Sequence, residues 1–177
     1  MAAYSPLTVQ DLEGMPDDGR RYELLDGVLM VSPAPGTRHQ KIAYRLYSVL
    51  EDACPDEYEV MGAPYAIHVG ENTELQPDVL VGRFEDFTQK DLPAPPVLAV
   101  EVLSPSTALI DLNTKKAAFE RMGTPSYWVI DPREPRITVF ELRDGAYEQI
   151  ASVTDAFDAQ RPFPVRILPA ELLGRFA

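Results

Sequence analysis

The segment Val97-Leu98-Ala99-Val100-Glu101-Val102-Leu103 is almost continuously apolar and carries one carboxylate in its interior. Such a run predicts a central strand that is covered on both faces. The next segment, Asp111 to Met122, has helical spacing and is followed by Gly123, and Tyr127 to Ile130 is a further apolar strand. A strand, a helix and a strand in this order predict a βαβ-like unit. The sequence therefore favours an α/β fold over an all-β fold.

Shorter elements are predicted around this unit. Asp26-Gly27 and Asp144-Gly145 are two-residue turns of the kind that tight hairpins prefer. The predicted helices are Tyr4 to Asp18, with Thr8 as N-cap and Pro16 at its end, and Arg38 to Ala53, which follows a capping-box pattern of Thr37 with Gln40. The predicted strands are Tyr22 to Leu25, Val28 to Val31, Tyr58 to Val69, Leu75 to Val81, Arg136 to Leu142 and Tyr147 to Val153.

Length and composition indicate one ordinary folded domain over residues 1–177. The chain is 45% hydrophobic and 25% charged, which is close to the globular average. Cys54 is the single cysteine, so no internal disulfide can form. Neither a signal peptide nor an apolar run of bilayer length is evident, and we expect a cytoplasmic protein without a membrane segment.

The charge distribution argues both against and for nucleic-acid binding. A net charge of -12 and a pI near 4.5 oppose strong nonspecific binding to a polyanion. A mildly basic stretch nevertheless runs from Arg20 to Arg45 and contains Arg20, Arg21, Arg38, Lys41 and Arg45. Composition therefore does not decide the question.

Two carboxylates stand at predicted strand ends. Glu101 interrupts the buried run, and burial of an ionised carboxylate without a partner costs several kcal/mol, so it needs an ion pair, a cleft or a metal. Asp78 follows Pro77 and precedes Val79-Leu80-Val81. On a purely structural interpretation, Asp78 is a turn aspartate and Glu101 is a strand-end acid satisfied by arginine or backbone donors. Two acids at adjacent strand ends can also share a hard divalent cation.

Helical spacing separates two neighbouring lysines. Lys115 lies on the same predicted face as Leu112, Phe119 and Met122, whereas Lys116 falls on the other side. We therefore predict that Lys115 points inward and Lys116 outward. An inward lysine can simply extend along apolar surface, or it can orient or deprotonate a water and stabilise charge at a phosphate.

Two further residues are candidates for the site. His39 shares a helical stripe with Ile42, Ala43 and Leu46 near a helix N-terminus, where a structural histidine or a phosphate contact would both fit. Glu23 lies on the predicted strand Tyr22 to Leu25 and could be a solvated strand residue or a site residue. The remaining histidine, His68, is expected to be a packing residue.

The ordered set of these motifs resembles the Uma-two restriction-endonuclease family, a branch of the PD-(D/E)XK nuclease superfamily. The resemblance runs from about Thr8 to Leu168 and rests on Glu23, His39, Pro77-Asp78-Val79, the segment from Val100 to Ser106, and Lys115. Asp78 matches the PD position and Glu101 the (D/E) position. Leu103 stands where the superfamily lysine is expected, and Lys115 matches the following-helix position to which that family's lysine has moved.

The resemblance implies a fold, a chemistry and an assembly. The fold would be a mixed α/β restriction-endonuclease-like core, a mixed sheet flanked by helices, here with an extra N-terminal hairpin and C-terminal strands. Asp78, Glu101 and the backbone carbonyl of Val102 would hold one or two Mg²⁺ ions, with Mn²⁺ as a substitute, for phosphodiester hydrolysis. Lys115 would position water, and Glu23 and His39 would support the site. The implied partner is nucleic acid, with DNA expected, and the implied assembly is a homodimer.

Two other functions remain open at this stage. The chain could be a binding or regulatory module that kept the fold and lost catalysis, or a metal-dependent hydrolase of a smaller phosphate ester. A deep closed pocket would favour the small ester. An open groove lined by Arg20, Arg21, Arg38, Lys41 and Arg45 would favour nucleic acid.

Overall fold

The computed structural model describes residues 5–176 as a mixed α/β structure. Its helices are α1 (Val9–Leu12), α2 (Thr37–Ala53), α3 (Lys116–Met122) and α4 (Pro169–Leu173). Short 3-10 turns cover Phe84–Asp86 and Gly174–Phe176, and a π-helical turn covers Ile110–Lys115. Within these described residues no helix is long and apolar enough to cross a membrane.

The strands are numbered in chain order. They are β1 (Arg21–Leu25), β2 (Val28–Ser32), β3 (Tyr58–Gly62), β4 (Ala66–His68), β5 (Glu74–Leu75), β6 (Val79–Arg83), β7 (Asp91–Leu92), β8 (Leu98–Val102), β9 (Ser126–Asp131), β10 (Arg136–Arg143), β11 (Ala146–Val153), β12 (Phe157–Ala159) and β13 (Val165–Ile167).

Two mixed sheets and a short ladder organise these strands. The main sheet has the order β11-β10-β9-β8-β6-β3, and the side sheet has the order β2-β1-β5-β4-β7. In the main sheet β8 and β9 are parallel, and their other neighbours are antiparallel. Strands β12 and β13 pair separately.

Alternation along the central strand β8 separates two hydrophobic clusters. Val100 and Val102 pack in a cluster that contains α2, α4 and the C-terminal ladder. Ala99 packs in the other cluster, with Phe119 of α3 and the apolar side of the side sheet. Because side chains alternate across a strand, Glu101 faces the same side as Ala99, toward α3.

The predicted βαβ-like unit and both predicted hairpins are confirmed. All five residues of β8 are buried, and β8 pairs in parallel with β9 across the helical segment. Asp26-Gly27 joins β1 to β2 and Asp144-Gly145 joins β10 to β11. All four turn residues have positive φ angles, which these two-residue turns require.

Two of the predicted strands are each interrupted by a proline. The segment from Tyr58 to Val69 is divided into β3 and β4, which belong to different sheets, with Pro64 between them. The segment from Leu75 to Val81 is divided in the same way at Pro77. A proline donates no backbone hydrogen bond to a ladder, so each strand ends before it.

The predicted helix starts also need correction. The first helix is only Val9–Leu12; Thr8 does cap it, but Tyr4 lies outside the described residues. For α2, Gly36 is the N-cap, so the Thr37 and Gln40 capping box was wrong. The helix predicted from Asp111 begins instead as the π-helical turn and becomes α-helical at Lys116.

Candidate active site

The two strand-end carboxylates lie side by side. Strands β6 and β8 are antiparallel, and their register pairs Val79 with Val100. Continuing that register by one residue places Asp78 next to Glu101. Both residues are almost fully buried, at 3% and 2% exposure respectively, so each carboxylate must be satisfied within the protein.

Three donors hold Asp78. Arg21 Nη2 donates to Oδ1 at 3.0 Å, the amide of Val102 donates to Oδ2 at 2.8 Å, and His39 Nε2 lies 3.0 Å from Oδ2. Burial acts to raise the pKa of Asp78. The hydrogen bond and charge of His39, followed by the charge of Arg21, outweigh burial and hold this pKa below its ordinary value.

Lys115 sits among three acids in the same interior. Its Nζ lies 2.9 Å from Glu23 Oε1, 3.0 Å from Glu101 Oε1 and 4.0 Å from Asp111 Oδ1. Burial acts to lower the pKa of Lys115, but the charges of Glu101, Glu23 and Asp111 outweigh it and raise the pKa well above its ordinary value. The side chain is therefore a fixed cation at neutral pH.

Glu101 experiences the opposite environment. Burial raises its pKa well above the ordinary value; Lys115 opposes this, while Asp78, Asp111 and Glu23 add to it. Lys115 engages the Oε1 atom of Glu101. Among the described residues, no hydrogen bond ends on the second oxygen, Oε2. One Glu101 oxygen thus has spare capacity as a ligand.

A cavity of about 200 Å³ collects these groups. Each of the five predicted catalytic residues lines it, namely Glu23, His39, Asp78, Glu101 and Lys115. Val102 does not line it, and the observed contribution of this residue is its amide hydrogen bond to Asp78. The Val102 carbonyl as a metal ligand stays a prediction.

The lysine prediction is confirmed for Lys115, which is 3% exposed. Lys116 is half-buried rather than fully directed to solvent, and its Nζ lies 4.3 Å from the centre of the Phe140 ring. The two neighbouring lysines still occupy different environments, which makes them a matched pair for experiments.

Two residues of the site were missed from the sequence. Arg21 precedes Glu23 by two positions on β1, so strand alternation could have placed both on one face. Asp111 is buried, whereas Leu112, which was predicted to share the inward face with Lys115, is 36% exposed. The π-helical turn moves Leu112 off that face, because it has more residues per turn than an α-helix and so rotates the residue three positions before Lys115 away from it. An i, i+4 acid before Lys115 was the available signal for Asp111.

The structure corrects the prediction for the other histidine, His68. His68 was expected to be a packing residue, but its Nε2 lies 2.5 Å from Glu74 Oε2 and its Nδ1 lies 3.0 Å from Asp91 Oδ2. It joins β4, β5 and β7 of the side sheet through these two contacts.

A mixed sheet flanked by helices, with an acid pair at adjacent strand ends and a lysine from the helical segment that follows the second strand, resembles the arrangement expected of restriction-endonuclease-like nucleases. The family described as "Uma2: Putative restriction endonuclease" matches residues 9–171, and the chain belongs to that family. Its fold is similar to that of a protein from Anabaena variabilis ATCC 29413 whose crystal structure is described as a putative nuclease belonging to DUF820. The TM-score is 0.74 at 19% identity, with 97% of this chain and 100% of the other covered. A comparison with curated protein sequences gave no match.

Proposed function

We propose that this protein is a metal-dependent endonuclease that hydrolyses phosphodiester bonds of nucleic acid, with DNA as the expected substrate. Mg²⁺ is the proposed cofactor and Mn²⁺ a substitute. Membership of the family and the nuclease fold support the nuclease class. The observation that carries the specific proposal is the convergence of Asp78, Glu101 and Lys115 in one cavity.

The donor set fits a hard divalent cation bound with few protein ligands. No group of three or more His, Cys, Asp or Glu side chains among residues 5–176 is arranged to hold a metal ion. Mg²⁺ is commonly held by one or two carboxylates together with waters and substrate phosphate oxygens, which is what Asp78 and Glu101 can offer. With all acids ionised, Glu23, Asp78, Glu101 and Asp111 have two permanent cations within 4.0 Å in the described part of the chain, Arg21 and Lys115. The formal excess of two negative charges matches a divalent ion.

The other roles in the proposed reaction fall to the protein's own side chains. When bound, a divalent cation neutralises phosphate charge and lowers the pKa of the attacking water. With its three acids beside it Lys115 is held protonated, so we assign it the role of a donor to water or to a phosphate oxygen. The deprotonation role considered from the sequence stays an untested alternative.

Asp78 is positioned by its partners. Arg21 fixes Oδ1 and the Val102 amide fixes Oδ2. His39 of α2 also approaches Oδ2. These contacts keep the carboxylate ionised and fix its orientation before any ligand arrives. Glu23 plays the same role for Lys115, and its Oε1 also accepts a 2.7 Å hydrogen bond from the amide of Gln76.

Cleavage assays on the full chain test the proposal. Wild type should cut DNA in Mg²⁺ or Mn²⁺ and should be inactive in EDTA. Glu101→Gln keeps the size of the side chain and removes the carboxylate, so it should lower cleavage by at least about 100-fold, on the scale of losing one strong transition-state contact.

Glu59→Gln is the matched control, because Glu59 is a partly buried glutamate of β3 that does not line the cavity. It should cleave like wild type. Equal activity of the two variants would contradict the assignment of Glu101. Absence of cleavage by wild type on varied DNA and RNA would favour the noncatalytic module.

The five basic residues of the Arg20 to Arg45 stretch do not favour nucleic acid clearly over a small phosphate ester. Of the five basic residues, only Arg20 and Arg21 line a cavity next to Asp78. Arg45 instead donates to the Glu171 carbonyl at 2.6 Å. The single domain, the homodimer and the cytoplasmic location stay predictions.

A further inference from the structure

A second cavity adjoins the active site. It measures about 290 Å³ and shares Arg21, His39 and Asp78 with the catalytic cavity. We call it the tyrosine groove, because Tyr44 and Tyr47 of α2 line it. The two cavities therefore form one continuous surface on both sides of Asp78.

The lining of the tyrosine groove combines aromatic rings with amide groups. Tyr44 is 61% exposed and Tyr47 is half-buried. Gln40 and Gln76 add amide side chains, and Arg20 lies at the same cavity. Aromatic faces with a few convergent hydrogen-bonding groups suit a flat heterocycle. The volume is at the lower end of small-molecule sites, which commonly span about 300 to 1,000 Å³, so it suits one ring system.

Charge argues against a long contact with a nucleic-acid backbone. The chain carries a net charge of -12, and the arginines of the groove are already paired, Arg21 with Asp78 and Arg20 with Asp18. Neutralisation of many phosphates is the usual source of duplex affinity, and this surface lacks the cations for it. Stacking of bases on aromatic side chains does not depend on such a tract.

We infer that the tyrosine groove binds one unpaired nucleobase of the substrate strand, next to the scissile phosphate. The inference rests on the proposed function and narrows it: the enzyme acts on single-stranded, frayed or mismatched nucleic acid in preference to intact duplex. A paired base is stacked inside the duplex and cannot enter the groove without the cost of unpairing.

A binding experiment tests this without cleavage. The probe is a short DNA strand that carries one 2-aminopurine, either single-stranded or annealed to its complement. The protein is Glu101→Gln in Mg²⁺, which prevents turnover under the proposed mechanism and leaves the groove unchanged. Tyr44→Ala and Tyr44→Phe are added to it, with Phe84→Ala as control, because Phe84 is also 61% exposed and lines neither cavity.

The unpaired probe should bind more tightly than the duplex and its fluorescence should be quenched. Tyr44→Ala should weaken its binding about tenfold, as expected for one lost stacking contact. Tyr44→Phe and Phe84→Ala should bind like the parent. Equal affinity for duplex and single strand, or a Tyr44→Ala affinity equal to that of Phe84→Ala, would overturn the inference.

Cleavage by wild type separates this inference from the proposed function. Quenching that depends on Tyr44, with no cleavage of any substrate by wild type, supports the groove and contradicts the nuclease. Cleavage by wild type with no effect of Tyr44→Ala on binding supports the nuclease and contradicts the groove.

Discussion

Lys115 Nζ lies 3.0 Å from Glu101 Oε1, and both side chains are almost completely removed from solvent. Neither charge would be stable there alone, since an isolated buried ion costs several kcal/mol. The lysine of the π-helical turn and the acid of β8 therefore depend on each other. This mutual dependence determines how variants of the site will behave.

Removal of Lys115 should destabilise the fold. Lys115→Ala leaves Glu23, Glu101 and Asp111 without their shared cation, and breaking a buried pair in this way costs about 3 to 5 kcal/mol. Lys116→Ala removes a partly exposed contact with the Phe140 ring and should cost about 0.5 to 1 kcal/mol. Urea unfolding of the two variants measures the difference. Equal costs would mean that the acids around Lys115 have other partners.

A metal response should depend on Glu101. With its acids ionised the cluster has a formal excess of negative charge, so a divalent cation that binds only the native state should raise the melting temperature of wild type. Glu101→Gln removes one of the repelling charges, and Lys115 keeps its ion pair with Glu23 at 2.9 Å. Its melting temperature without metal should equal or exceed that of wild type, and its response to Mn²⁺ should largely disappear. Thermal melts with and without Mn²⁺ measure the melting temperature and its response to metal. A wild type whose melting temperature does not change with Mn²⁺ would contradict the metal site.

Asp78→Asn should behave differently from Glu101→Gln. Asp78 is held by Arg21, His39 and the Val102 amide, so removing its charge leaves these donors with a weaker acceptor. We expect a loss of about 1 to 3 kcal/mol in the free energy of unfolding. Urea unfolding in EDTA measures it, and a stabilised Asp78→Asn would show that repulsion from Glu101 outweighs the three contacts.

The thiol of Cys54 should react slowly. Burial, followed by the nearby acids Glu51 and Glu59, raises its pKa from 9.0 to about 11. Below both pKa values, a shift of about two units lowers the thiolate fraction about 100-fold. Alkylation by iodoacetamide at pH 8 should therefore be about 100 times slower in the folded protein than in urea, and the folded rate should rise steeply up to pH 11. Similar rates at pH 8 would contradict the raised pKa.

The sequence predicted the central elements because their patterns are local. Continuous apolar residues identified β8, and Asp-Gly turns identified the two hairpins. Glu101 stood out as a charge inside an apolar run. The spacing that selected Lys115 over Lys116 also proved sufficient, because Lys115 lies four residues before the buried Phe119 of α3 and is buried with it.

The residues that were missed depend on contacts between distant segments. Arg21 reaches Asp78 across 57 positions of sequence, and Gln76 reaches Glu23 across 53. No periodicity encodes such pairs. Asp111 was missed for another reason: the predicted face was traced through apolar residues, so Leu112 was placed on it, whereas the structure leaves Leu112 36% exposed and Asp111 buried.

His68 provides the last prediction, because two acids from different strands contact its ring. Its Nε2 faces Glu74 of β5 and its Nδ1 faces Asp91 of β7, which connects three strands of the side sheet. His68→Ala should lower the free energy of unfolding by about 1.5 to 3 kcal/mol, the range for hydrogen bonds to charged groups. In Glu74→Gln the same change should cost less, since one of the contacts has already been weakened, and the double-mutant coupling should be at least about 0.5 kcal/mol. Glu71→Gln, at an exposed acid three residues before Glu74, is the control and should be additive with His68→Ala. Urea unfolding of the three single variants and the two double variants measures these energies, and additivity of His68→Ala with Glu74→Gln would refute the contact as a stabilising one.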